Sequence, residues 1–348
     1  MIVHTVTNIA RIFNTLLIFS FVGLAFSDEN SNLGKISGHA FGDLYGVPSH
    51  HDPDIKGFSG FQFRRINLTY DKALDAMFNI RFRLEAASPG DFSSDDTLQP
   101  FVKDLYLQYV GTKGIKVALG LIPTPTWSWH EENLYNREVE KTPIDLYRMG
   151  DSRDQGISVQ GKDASGRAFY HVMVGNGSGT KGKSHKGNTL YGLAGYRVAP
   201  NLTVTGYADR WVKDGGVTWR TLSGSLVYNG VKVNAGVMMV NQRRESNSAA
   251  PIDLDLVSVF ADYELSPTVT PFVRVDVVND AVPGADRIGY LSLSPDGKPT
   301  LFMLGVDFKL GEHVNLIPTI EHFTYRRIGS TPKPGNDTFI KLTYYFRF

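Results

Sequence analysis

Apolar and polar residues alternate with a period of two along most of the chain. A β-strand makes this repeat when one of its faces meets an apolar medium and the other meets water. Between Met77 and Ala86, Phe78, Ile80, Phe82, Leu84 and Ala86 share one face, and Asn79, Arg81, Arg83 and Glu85 share the other. Leu105, Leu107 and Tyr109 alternate with Asp104, Tyr106 and Gln108, and Phe302, Leu304, Val306, Phe308 and Leu310 with Met303, Gly305, Asp307 and Lys309. The chain ends in the same way, with Ile340, Leu342, Tyr344, Phe346 and Phe348 set against Lys341, Thr343, Tyr345 and Arg347. In a soluble sandwich the apolar faces pack into a core. In a membrane barrel they face lipid and the charges face water.

Read this way, the sequence predicts about sixteen strands, over 35–45, 60–70, 76–86, 101–110, 115–121, 154–161, 168–175, 188–199, 202–210, 218–228, 231–242, 254–265, 269–279, 300–310, 314–325 and 338–348. Fourteen or eighteen also fit the pattern. The connections alternate in length. Long ones fall at 46–59, 87–100, 122–153, 176–187, 211–217, 243–253, 280–299 and 326–337, and short ones at 71–75, 111–114, 162–167, 200–201, 229–230, 266–268 and 311–313. Pro200-Asn201, Asn229-Gly230 and Ser266-Pro267 supply turn chemistry. A soluble meander has no reason to alternate long and short links. An up-and-down outer-membrane barrel does, with short periplasmic turns and longer external loops. The fold expected is therefore all-β, a transmembrane antiparallel barrel. Trp127, Trp129, Tyr45, Tyr70, Tyr109, Tyr228 and Tyr263 fall near strand ends, where an interfacial aromatic girdle belongs.

The first residues change the picture by implying export. Arg11 is the one charge before Asp28, Ile12 to Phe26 is mainly apolar, and Ala25-Phe26-Ser27 offers a small-residue cleavage site. Residues 1–27 are read as a signal peptide and 28–348 as the barrel domain. The competing reading, an N-terminal anchor, is short for a helix that spans with about 20 residues. With 36 basic and 35 acidic residues, removal of Arg11 leaves a mature chain of zero net charge. That balance argues against a nucleic-acid partner. The absence of cysteine excludes disulfides and thiolate metal sites.

Two stretches resemble a known family, and the C-terminus resembles a more general signal. The terminal Tyr344-Tyr345-Phe346-Arg347-Phe348 is similar to the signal that barrel-assembly machinery reads in outer-membrane proteins. Val102-Lys103-Asp104-Leu105-Tyr106-Leu107-Gln108-Tyr109 resembles a strand of the phosphate-selective porin O and P family. So does the segment from Gly150-Asp151-Ser152-Arg153-Asp154-Gln155-Gly156 to Tyr170-His171-Val172-Met173-Val174-Gly175-Asn176-Gly177. The resemblance covers most of the mature chain in layout. It implies a trimeric, sixteen-stranded barrel with the third external loop folded into the lumen, which fits 122–153 as the longest connection. The family's founding members line their pores with Arg and Lys to select phosphate.

Several local motifs could carry chemistry. Gly177-Ser178-Gly179-Thr180-Lys181-Gly182-Lys183-Ser184 matches a P-loop pattern. A strand pattern follows it where a P-loop needs a helix, so it reads as a glycine- and lysine-rich loop. Trp129-His130-Glu131-Glu132-Asn133 has the start of a zincin motif, but position 134 is Leu where the second His belongs. His50, His51, Asp52 and Asp54 could gather a metal, against the plainer reading of a solvated loop. Glu131, Glu132, Arg137, Arg148 and Arg153 on the long connection, with Arg81, Arg83, Lys341 and Arg347 on strands, are the expected pore-lining and constriction residues. Acids on an inserted loop opposite bases on the wall would set a transverse field across a pore. The competing reading leaves the loop charges solvated outside.

The function expected is a non-enzymatic outer-membrane porin of a Gram-negative bacterium, passing small hydrophilic solutes with a preference for anions, phosphate included. It needs no cofactor. Its partners would be outer-membrane lipid and lipopolysaccharide, the barrel-assembly machinery, and two further copies of itself. The alternatives are a soluble secreted all-β carbohydrate-binding or carbohydrate-active protein, and a barrel enzyme built on a Ser/His pair that no spacing singles out.

Overall fold

The computed structural model describes residues 33–87, 92, 97–111, 114–133 and 137–348. The signal-peptide reading of residues 1–27, and Leu134, lie outside them. Sixteen strands close into one antiparallel barrel in which each pairs with its sequence neighbours and the last returns to the first. They are β1 (Lys35–Ser49), β2 (Ser59–Ala73), β3 (Phe78–Ala87), β4 (Gln99–Val110), β5 (Lys116–Pro123), β6 (Arg153–Lys162), β7 (Ala168–Gly175) and β8 (Thr189–Ala199). The second half comprises β9 (Leu202–Val212), β10 (Thr218–Asn229), β11 (Val233–Ser246), β12 (Ala249–Tyr263), β13 (Val269–Val278), β14 (Lys298–Lys309), β15 (Val314–Arg326) and β16 (Asp337–Arg347). Closure leaves no unpaired sheet edge, the condition for spanning lipid with strands. The seam is made by β1 against β16, and paired Gly38 and Phe348 backbone bonds of 2.9 Å extend it to the last residue.

The alternation places side chains inside out relative to a soluble protein. Leu119, Leu222 and Leu304 stand 57–60% exposed on the outer wall, while Asp104, Asp276 and Glu321 are fully buried within. This arrangement, on a sheet that closes on itself, rules out the two-sheet sandwich. Tyr109, Tyr228 and Tyr263 project outward near the short-turn end, as a girdle requires.

Three of the girdle residues are placed differently. Tyr45 shares the inward phase of Asp43 and packs against the internal apolar cluster. Trp127 and Trp129 lie on a helix inside the loop 124–152, with Trp127 buried and Trp129 stacked on Phe169 at 6.0 Å. The predicted long loop at 243–253 is also corrected. β11 and β12 run on until only Asn247 and Ser248 separate them, because Arg243 finds Asp253 across the pair at 3.0 Å and Glu245 beside it at 2.7 Å. Strand pairing outlasts the apolar band when polar neighbours pair across it.

Candidate functional site

The interior of the barrel is narrowed by two connections. The first, 124–152, opens with Pro125 at the start of helix α1 (Pro125–Asn133), where proline loses no needed hydrogen bond. Thr124 accepts from the amide of Trp127, and its hydroxyl donates to the Asp151 carbonyl at 2.8 Å, pinning the loop's two ends together. A short helix α2 (Pro143–Leu146) follows, and the chain reverses at Arg148 with a positive φ of 56°.

Backbone carbonyls inside a barrel need donors, and the wall provides them. Arg64 of β2 donates to Glu138 O at 2.5 Å, and Arg274 of β13 to Lys141 O at 2.6 Å. On β11, Gln242 donates to Met149 O at 2.6 Å and Arg244 to Arg148 O at 2.7 Å. The loop is therefore tied to strands on opposite sides of the barrel. Each arginine is itself held: Arg64 by Asp43 at 2.6 Å, and Arg274 by Asp276 at 2.6 Å.

The second connection, 279–297, where the sequence predicts a long external loop at 280–299, also folds inward. Val282, Ala285, Ile288, Leu291 and Leu293 are buried against Leu146, Tyr147 and Met149 of the first loop and against Leu254, Leu256 and Leu301 of the wall. The Tyr290 hydroxyl donates to Glu140 at 2.8 Å. A signal was present: a solvated loop has no use for so many large apolar residues.

The expected pore residues divide into those held in ion pairs and those left accessible. Lys341 bonds both Glu321 at 2.6 Å and Glu140 at 3.3 Å, all three buried. Arg81 grips Asp71 through two bonds of 2.7 and 2.9 Å. Arg83 donates to Thr69 and reaches Asp104 at 3.3 Å, and Arg153 pairs with the same Asp104 from the other side. Glu131 and Arg137 meet at 3.2 Å, with Asp145 on the far side of Arg137 at 3.4 Å. The rest stay accessible: Arg148 and Glu132 are exposed, and Arg347 donates to Glu312 O at the short-turn rim. The transverse field expected from loop acids facing wall bases is thus largely spent in direct pairs. Glu140 with Lys341 is the clearest case.

Many groups of the loop carry perturbed protonation, and two of them, His130 and Glu140, bear on its packing. Burial pushes His130 down to about 4, partly offset by its bond to the Thr126 carbonyl. Burial works against ionised Glu140, but Lys341, then Arg64 and Lys141, outweigh it and hold the carboxyl below the usual carboxylate range.

A cavity of about 710 Å³ opens on the long-loop side, lined by Lys141, Arg148, Lys181, Lys213, Arg244 and Arg287 among others. Another, of about 490 Å³, opens on the short-turn side with Glu138, Asp262, Asp307, Glu312, Lys309 and Arg347 in its wall. Loop 124–152 contributes to both and lies between them.

The other motifs resolve as structural devices. In the P-loop-like stretch, Gly177 (φ 71°) and Ser178 turn their amides onto the Asp154 carboxylate at 2.6 and 3.3 Å, and β8 follows. The loop is an anion nest already filled by the protein's own carboxylate. His50 and His51 gather with Asp337, the nearest approach to a metal-ligand set among the described residues. Their hydrogen bonds serve as a clip: His51 bonds Asp337 at 3.0 Å, and His50 bonds Leu291 O at 3.1 Å.

The fold and interior define a class, the closed antiparallel barrel of sixteen strands with a charged inside and an apolar outside. Solved structures of that kind superpose on nearly the whole chain. An outer-membrane expressed OmpT of Vibrio cholerae matches with a TM-score of 0.63 at 13% identity, covering 92% of this chain and all of its own. An anion-selective porin from Comamonas acidovorans matches at 0.66 and 14%, over 90% and 99%. Salmonella typhi OmpF, in complex with daunomycin, matches at 0.65 and 10%, over 91% and 98%. At these identities the likeness establishes the fold. No family model matches the chain, and no curated protein matches it in sequence.

Proposed function

We propose that the chain is an outer-membrane porin of a Gram-negative bacterium, a water-filled channel for passive diffusion of small hydrophilic solutes without enzymatic chemistry. The observation that carries this reading is the pair of charged cavities on opposite faces of a loop bonded across the inside of a closed barrel. Charge placed inside while leucines face out has a use when water fills the interior.

An anion preference follows from the imbalance of the outer cavity, where six bases stand with only two acids, Asp145 and Asp151. Residues 1–27 would serve as the export signal, the strand ending at Phe348 as the handle for barrel assembly, and lipopolysaccharide as the outer-leaflet neighbour. A homotrimer is the expected assembly, as one of the structural neighbours, an in-vitro folded Vibrio cholerae OmpT, is described as a trimer form. Membership of the phosphate-selective porin family is retained as a proposal on the two matching stretches, at 102–109 and 150–177.

Reversal potential under a potassium chloride gradient, on membranes holding many copies, tests the selectivity. A potential of the sign set by chloride is expected, with phosphate competing for the same path. A potential set by potassium would overturn the anion preference and leave the channel.

A further inference from the structure

The outer cavity holds charge that the constriction does not. Lys141, Arg148, Lys181, Lys213, Arg244 and Arg287 line it, and among the described residues none forms an ion pair with an acid. Of the two acids in the same wall, Asp145 is taken by Arg137. Beside these cations stand Trp211 and Trp219, stacked with centroids 5.4 Å apart and planes at 12°. Lys213 lies 5.1 and 5.2 Å from the two ring centres, and the Arg244 guanidinium lies 4.4 Å over Trp219. Strand register puts Trp219 between Trp211 on β9 and Arg244 on β11. The two faces of its indole are therefore flanked by Trp211 and Arg244, and its rim is the part most open to the cavity. Arg244 is fixed in turn by Gln242 at 2.7 Å and the Arg148 carbonyl at 2.7 Å.

The rim of an aromatic ring is electropositive, and its attraction is for a carboxylate or for the π-face of another ring. A sugar stacks on a free aromatic face, which Trp219 does not offer. Guanidinium and ammonium groups attract both negative charge and π-faces. We propose that this vestibule is a recognition site for aromatic carboxylates, whose ring meets the Trp219 rim and Arg244 and whose charge meets Lys213 and Arg287. Its volume lies within the roughly 300–1,000 Å³ of small-molecule sites. The proposal rests on the channel reading and names a solute class for it.

The test is a titration of tryptophan fluorescence and of channel current with benzoate, set against acetate, cyclohexanecarboxylate and benzyl alcohol. Benzoate is expected to quench and to block at concentrations at least about tenfold below the other three, since only it joins charge to a π-face. Lys213→Gln is expected to raise the benzoate midpoint about fivefold, and Lys213→Arg to restore it. Equal action by acetate would reduce the site to general charge, and equal action by benzyl alcohol to apolar partition; either overturns the proposal. Quenching by benzoate in folded protein that passes no current would sink the channel and keep the site. Current without selective quenching or block would do the reverse.

Discussion

Lys341 is the charge on which the inner arrangement turns. It is the shared cation for Glu140 on the loop and Glu321 on the wall, both fully buried. Removing one partner of a buried pair costs about 3–5 kcal/mol because the other charge is left without compensation. Lys341→Met should lower the thermal midpoint of the folded barrel and loosen loop 124–152, and adding Glu140→Gln and Glu321→Gln should recover most of the loss. A midpoint unchanged by Lys341→Met would contradict the pairing.

Protonation acts on the same loop. Glu140 has a depressed folded pKa, so its contribution is present above the ordinary carboxylate value of about 4.5 and is lost as pH falls below it. His130 is held neutral with a pKa of about 4, against 6.5 when released. The released loop therefore binds the extra proton between those values, and packing weakens as pH falls from 6.5 to 4, by on the order of 3 kcal/mol. Current noise should be flat above pH 6.5 and rise in those two windows, and His130→Gln should abolish the upper one alone. Noise that rises with increasing pH would contradict both signs.

At the scale of elements, the strands were legible because lipid on one side and water on the other impose a period of two that nothing else in the chain imitates. β7 falls at 168–175 in both readings, and Arg83 and Lys341 take the inward phase that alternation assigns them. Loops follow no such rule. Trp127 sits near a strand end in the sequence but is carried inward by α1, and Arg243 looks like loop until Asp253 pairs with it. The inward fold of 279–297 depends on contacts with a segment over a hundred residues earlier, which periodicity cannot report. Leu291 is fully buried in that packing, and burial of such a side chain contributes roughly 1.5–3 kcal/mol. Leu291→Asp should therefore expel this loop and enlarge the conductance while the barrel stays folded; an unchanged conductance would show that the loop does not narrow the path.

In the whole molecule three levels of structure join. Alternation closes the barrel, wall arginines hold a loop across it, and the inner charges pair while the cations of the outer cavity have no ion pair among the described residues. The pairing could not be read from sequence, because Lys341 and Glu140 are two hundred residues apart and only closure of the sheet brings them together. What the sequence did carry was the inward charge itself, the reason to expect water inside.

The claim beneath all of this is that water and ions pass through the folded barrel around loop 124–152. Single-channel recording of the purified protein in a planar bilayer tests it most directly. Discrete, uniform steps are predicted, and larger steps at the same salt for the Lys341→Met protein, whose loop has lost its tie to β16. Folded, heat-modifiable protein that inserts and gives no steps would contradict the account, and leave a sealed barrel in place of a channel.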